Sequence, residues 1–147
     1  MTLLAKAFGP NSLAIVEKLT DRSEAIKLSG ELLQQSGRVE AAYVTSMLDA
    51  VERFGPYIVI APGIALAHGK SEEGVIETGL SLVVLREPLA FGHGDNDPVE
   101  LVFGLAATDH QSHLGLMGEL ATFLGDPEKV TSLLQAEDLV QLRSLLV

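Results

Sequence analysis

The chain has no cysteine. Disulfides, thiol catalysis and cysteine-held metals are excluded with it. Basic residues are scarce: ten Lys and Arg stand against twenty Asp and Glu, a formal charge of -10. A surface this acidic repels nucleic-acid phosphates and anionic lipid, so neither is expected as a partner. A docking partner with a basic patch fits better. No apolar run reaches the ~18 residues of a membrane span. The stretch from Met1 to Phe8 is broken at Gly9-Pro10 before it grows into a secretory leader. Both absences predict a cytoplasmic protein without direct membrane insertion. No repeat, low-complexity tract or long linker divides the 147 residues, so 1–147 reads as one domain. At 47% hydrophobic it can bury a core of its own. The chain also lacks the GxxxxGK[ST] and GxGxxG nucleotide loops, the GxSxG nucleophile elbow and the HExxH zinc helix.

What remains is a clear order of elements. Asn11 or Ser12 is read as the cap of a short helix through Leu19. Asp21-Arg22-Ser23-Glu24 opens a second helix, whose apolar stripe is Ala25, Leu28, Leu32 and Leu33. Ser36-Gly37 stops it. A third helix starts near Glu40, carries Tyr43, Val44, Met47, Leu48 and Val51 at helical spacing, and ends at Phe54-Gly55-Pro56. The middle reads as sheet: Tyr57 to Ala61, a Pro62-Gly63 turn, Ile64 to Leu66, Thr78 to Leu85, and Val99 to Ala107 after a Gly- and Asp-rich loop at 91–98. Helix returns at the end. His113, Leu116, Met117 and Leu120 line one helix, Asp126-Pro127 starts the next, and Ala136 to Leu146 forms the last, with Leu139, Leu142, Leu145 and Leu146 inward. Those leucines leave both a monomer and a homodimer open. Helices, then strands, then helices predict an α/β domain, a mixed β-sheet flanked by helices on both faces.

Chemistry concentrates on histidine. The apolar run from Tyr57 ends in His68-Gly69-Lys70. A neutral imidazole is a good nucleophile near neutrality, because its ordinary pKa is ~6.5. It can carry a phosphoryl group on one nitrogen while a hydrogen bond orients the other. Gly69 would let backbone N–H groups approach phosphate oxygens, and Lys70 would add positive charge. The plainer alternative for His68 is a solvated, inert loop residue. His113 opens a later helix, where N–H groups and the dipole favour anions. Its alternative is a ring half-packed on Leu116 and Met117. His110 and His113 share metal-ligand spacing but lack a third ligand on the same turn, so no metal site is assigned. His93, Asp95 and Asp97 read as loop residues, solvated or forming turns.

Pro62-Gly63-Ile64-Ala65-Leu66-Ala67-His68-Gly69-Lys70 resembles the phosphorylation segment of enzyme IIA of the bacterial phosphotransferase system. The similarity is to the mannitol/fructose-type superfamily and, within it, the ascorbate-type branch. Gly55-Pro56-Tyr57 through Ala61, Phe91-Gly92, Asn96-Asp97-Pro98-Val99 and Leu105 through His113-Leu114 carry it further, in the family's order. The resemblance implies a mixed sheet flanked by helices and no cofactor. It implies that His68 accepts a phosphoryl group from the phosphocarrier HPr and passes it to a cysteine of enzyme IIB during carbohydrate uptake. His113 matches a second histidine that holds the phosphate. Some relatives use an arginine from the preceding helix; Arg53 is the nearest candidate, and its plainer role is a solvated helix-end charge. The family commonly has proline before the active histidine, where this chain has Ala67. Alanine frees φ and restores an N–H, but leaves the nucleophile in place. The residues allow L-ascorbate, pentitols or other sugars alike. A regulatory module of the same fold, whose phosphorylation state controls a partner, is the alternative.

Overall fold

A computed structural model describes residues 2–147. Its elements run α1 (Leu3–Ala7), β1 (Leu13–Val16), α2 (Arg22–Gln35), α3 (Ala41–Phe54), β2 (Val59–Ala61), β3 (Ile64–His68), β4 (Gly79–Leu89), β5 (Val99–Ala106), α4 (His110–Leu124), α5 (Pro127–Gln135) and α6 (Leu139–Ser144). The strands form one five-stranded sheet in the order β1-β4-β5-β3-β2. β1 lies parallel to β4 and β3 parallel to β5, while β4–β5 and β2–β3 are antiparallel. The sheet is therefore mixed, with helices on both faces, as the pattern of elements predicts.

Period-two alternation divides the strands between two cores. Ile64 and Leu66 of β3, Leu80, Leu82 and Val84 of β4, and Leu101, Phe103 and Leu105 of β5 face α1, α4, α5 and α6. Ala65, Ala67, Val83, Leu85, Val102 and Ala106 face α2 and α3. A strand buried on both sides reads as a continuous apolar run. That explains Leu101 to Ala106, where every residue is buried. The α2 side is packed closely enough to require small residues. A Cβ on Gly104 would meet the Ser81 hydroxyl and the Ser29 carbonyl. The Ser81 hydroxyl donates to that carbonyl at 2.7 Å, so the buried serine is satisfied.

Helix ends follow the sequence signals. Asp21 accepts from Glu24 N–H at the start of α2, and Gly37 leaves it at φ +80°. Asp109, Asp126 and Asp138 cap α4, α5 and α6 in the same way. Three expectations need correction. Leu13 to Val16 is a strand, not part of a helix capped at Asn11 or Ser12. Its residues pair in register with Leu82 to Leu85, and this long-range partner outweighs a local cap signal. Asn11 is a turn residue at φ +62°. The last helix is shorter than Ala136 to Leu146, because Asp138 caps it and Ala136 is buried before it begins. Leu139 then points to solvent, at 48% exposure, while Leu142 and Leu146 are buried. The first strand of the β2–β3 hairpin starts at Val59, leaving Tyr57 outside it. No helix among the described residues is long and apolar enough to cross a membrane.

Candidate active site

β3 and β5 lie side by side and parallel, so their C-terminal ends meet at one rim of the sheet. Such rims are where α/β sheets place ligand sites. β3 continues through Ala67 and His68, which pair with Gly104 and Leu105. The alanine that departs from the usual proline is thus a strand residue, fully buried. Alternation puts His68 on the same face as Leu66, the face covered by α4. The chain leaves β5 at Ala106, and α4 begins four residues later at His110. The result is an open pocket of about 350 Å³. His68, Gly69, Ser71, Tyr43, His110 and His113 contribute to its wall.

Three features hold His68. Its Nδ1–H donates to the Leu66 carbonyl at 3.0 Å. A carbonyl only accepts, so that bond assigns the proton to Nδ1 and leaves Nε2 with a free lone pair. The ring also meets the Tyr57 ring edge-on, with centroids 5.5 Å apart and planes at 88°. Partial burial raises the Tyr57 phenol above its ordinary pKa. Behind the ring, Gly69 N–H donates to the Tyr43 hydroxyl at 3.0 Å, and that hydroxyl donates to the Leu105 carbonyl at 2.6 Å. Tyr43 comes from α3, so one buried phenol ties α3, the end of β5 and the turn after His68. Burial pushes its pKa up to about 12, which keeps the proton in place.

The structure gives Gly69 a different reason from the one read in the motif. Its N–H is already engaged by Tyr43. What demands glycine is close packing: a Cβ there would lie 2.5 Å from Ser46 Oγ and 3.1 Å from the Met47 nitrogen. The next amide, Lys70 N–H, donates to Ser46 Oγ at 2.8 Å. The turn is therefore sewn to α3 residue by residue.

His113 sits on the first turns of α4, with its N–H accepted by the Asp109 carbonyl at 3.1 Å. Burial holds its pKa below the ordinary imidazole value, and the charges of His68 and His110 lower it further. The histidines called on separately by the motifs are thus brought into mutual electrostatic reach. Asp109 caps α4 by accepting from Ser112 N–H at 2.7 Å, and that bond lowers its carboxyl pKa.

Lys70 and Arg53 lie elsewhere. Both line a neighbouring groove of about 520 Å³ along α3, with Ser46, Asp49, Phe54 and Tyr57. Gly69 forms part of both walls. Phe54 and Tyr57 are well exposed there, at 66% and 44%, and pack edge-to-face. His93 is half-buried in the 91–98 loop, and its Nδ1 accepts from Asn96 N–H at 3.2 Å. It is not the freely exposed residue the sequence suggested, because Asp97 gathers the N–H groups of Phe91, Gly92 and His93 and folds the loop inward. Among the described residues no group of three His, Asp or Glu is arranged for a metal ion. Sequence reasoning missed Tyr43, Ser46, Tyr57 and Ser71 as parts of the site. The one available signal was a phenol on the buried stripe of α3, which must find a polar partner.

Comparison with known proteins places the whole fold among relatives. Residues 7–147 match the family model for the phosphoenolpyruvate-dependent sugar phosphotransferase system, EIIA 2. An ascorbate-specific PTS system EIIA component of Salmonella choleraesuis is 47% identical over 109 residues, covering 73% of this chain and 71% of that protein. The solution structure of the mannitol-specific cryptic phosphotransferase enzyme IIA CmtB from Escherichia coli superposes with a TM-score of 0.88 at 31% identity, covering 99% and 98% of the two chains. A complex of enzyme IIAMTL with phosphorylated enzyme IIBMTL from Escherichia coli matches with a TM-score of 0.81 at 28% identity, over 94% and 95%.

Proposed function

Since the chain belongs to the EIIA 2 family of the phosphoenolpyruvate-dependent sugar phosphotransferase system, we propose that Nε2 of His68 is the atom that carries the phosphoryl group. The protein is an EIIA phosphocarrier, a phosphotransferase of sugar uptake. The observation that supports the site is the Nδ1–H bond to Leu66, which leaves Nε2 unprotonated beside an open pocket. In the first step that lone pair attacks the phosphorus of phospho-HPr. The new Nε2–P bond forms as the P–N bond of the donor breaks. In the second step a thiolate of enzyme IIB attacks the same phosphorus, and the electrons of the Nε2–P bond return to His68. Little covalent chemistry is asked of the surrounding protein, so positioning and charge carry the rate. Tyr43, Gly69 and the Leu66 carbonyl fix the ring, and His113 holds phosphate oxygens.

In this reading 1–147 works as one IIA domain. Lys70, Arg53 and the exposed Phe54 and Tyr57 face the incoming partner from the adjoining groove. Charge complementarity between the acidic surface and a basic partner speeds encounter. The ascorbate-specific relatives support L-ascorbate as the sugar of the system. The test is phosphoryl transfer from phosphoenolpyruvate through enzyme I and HPr. Wild type becomes labelled and His68→Ala does not; full labelling of His68→Ala would overturn the assignment.

A further inference from the structure

The pocket beside His68 holds imidazoles where a phosphate site usually holds lysine or arginine. His68, His110 and His113 all line it, and no lysine or arginine is among the described residues of its wall. A phosphorylated side chain brings about -1.5 to -2 of charge near neutrality. Lys70 and Arg53 stand on the far side of Gly69, in the other groove. The single carboxylate of the pocket wall, Asp109, is engaged as the α4 cap through Ser112. Within this wall, the countercharge available is an imidazole that takes up a proton.

We propose that His110 is a second phosphate-contacting residue at the mouth of this pocket, protonated when His68 is phosphorylated and deprotonated when the phosphoryl group leaves. This rests on the reading that His68 carries the phosphoryl group. The proton comes from water on loading and returns to water on unloading, and no covalent bond forms at His110. The choice between His110 and His113 follows from burial. His113 is half-buried and its charged form is disfavoured by desolvation, whereas His110 is exposed at the pocket mouth. The two rings are three residues apart on α4, hence neighbours on one helix face. Charging both is opposed, because burial first, and then the charges of His68 and His110, hold the His113 pKa below its ordinary value.

The other groups around His110 do not replace it. Asp109 and His113 share its helix, and His68 faces it from β3. From the turn after β3, Ser71 lines the pocket while Lys70 and Glu73 line the other groove. From α3, Tyr43 presents a neutral phenol, with Asp49 and Arg53 in the other groove. On the α1 side of α4, Lys6, Arg38 and Glu77 line a separate cavity. There Arg38 is tied to Glu77 at 3.7 Å and to the Lys6 and Thr78 carbonyls.

The test loads wild type, His110→Gln and His110→Lys from phosphoenolpyruvate through enzyme I and HPr. The equilibrium fraction of phosphoprotein and the phosphorus NMR shift are followed from about pH 6 to about pH 9. Wild type is expected to lose phosphoprotein as pH rises, with a matching step in the phosphorus shift. His110→Gln is expected to lose the step and to hold about tenfold less phosphoprotein near pH 6.5, a coupling of the usual size between sites. His110→Lys is expected to restore the fraction and flatten its pH dependence. A wild-type titration in His110→Gln, or a loss in His110→Lys equal to that in His110→Gln, overturns the role of His110. Absence of any adduct on wild-type His68 instead overturns the reading beneath it, so the two failures are distinct.

Discussion

Replacing Gly69 by alanine tests whether the turn after His68 is held as tightly as its contacts require. The added Cβ would stand 2.5 Å from Ser46 Oγ, 3.0 Å from Ser46 Cβ and 3.1 Å from the Met47 nitrogen. Ordinary contact begins near 3.4 Å, so the closest pair must open by about 0.9 Å. Ser46 Oγ can rotate only by giving up the Lys70 N–H it accepts. The Met47 nitrogen belongs to the backbone of α3, and the Met47 side chain is fully buried, so that wall does not yield. The turn moves instead, and the imidazole of His68 moves with it. A misplacement near 1 Å costs about a hundredfold in rate, and overpacking of this kind costs about 1–3 kcal/mol of stability. Rapid-quench transfer from phospho-HPr measures the first effect and urea unfolding the second. Adding Ser46→Gly removes two of the three contacts and is expected to recover part of the rate. A Gly69→Ala protein with wild-type rate and wild-type stability would refute the close-packing argument.

Other outcomes follow from the same geometry. Tyr43→Phe keeps the buried ring but strands Gly69 N–H and the Leu105 carbonyl, for a loss of about 1–3 kcal/mol; urea unfolding shows it, and transfer slows even well below the unfolding temperature. Asp109→Ala removes the side chain that accepts the Ser112 N–H at the start of α4 and is expected to lower the melting point. Because the folded-state pKa of Asp109 is depressed, its contribution is present above the unfolded value and is lost as pH falls through the folded one. Asp109→Asn, which keeps the cap without the titration, should flatten that acid limb in thermal melts. His113 has the opposite consequence: its folded pKa lies below ~6.5, so the unfolded chain binds the proton first and stability falls as pH drops below that value. Melts of His113→Gln at falling pH should lack this slope. Gly104→Ala is expected to lose about 1–3 kcal/mol, since its Cβ would crowd Ser81 and Ser29 in the α2 packing layer; a melting point equal to wild type would show that this layer has slack.

The parts of the fold that the sequence makes legible are those with local causes. Asp21 and Gly37 bound α2, Gly55-Pro56 ends α3, and Asp126-Pro127 starts α5, each through a cap or a proline constraint within a few residues. Strand β1 escaped because Leu13 to Val16 is too short to show a period, and its identity comes from pairing with Leu82 to Leu85. Leu139 keeps the helical spacing of the inward leucines, yet it is the first residue after the Asp138 cap and faces solvent. The site shows the same division. His68 and His113 stand out through their motifs. Their meeting depends on the parallel pairing of β3 with β5 and on strand parity, which places His68 under α4. Lys70 is next but one to His68 in sequence and still lines the other groove, because the turn folds back against Ser46. Tyr43 looked like one more core residue, since its partners lie 26 and 62 residues away.

The central claim is that His68 carries the phosphoryl group on Nε2, with Nδ1 held by Leu66. Nitrogen–phosphorus correlation NMR on the loaded, nitrogen-labelled protein reads that bond directly. Coupling of phosphorus to Nε2 of His68 is the predicted result. Coupling to Nδ1, or to any other residue, would contradict the account.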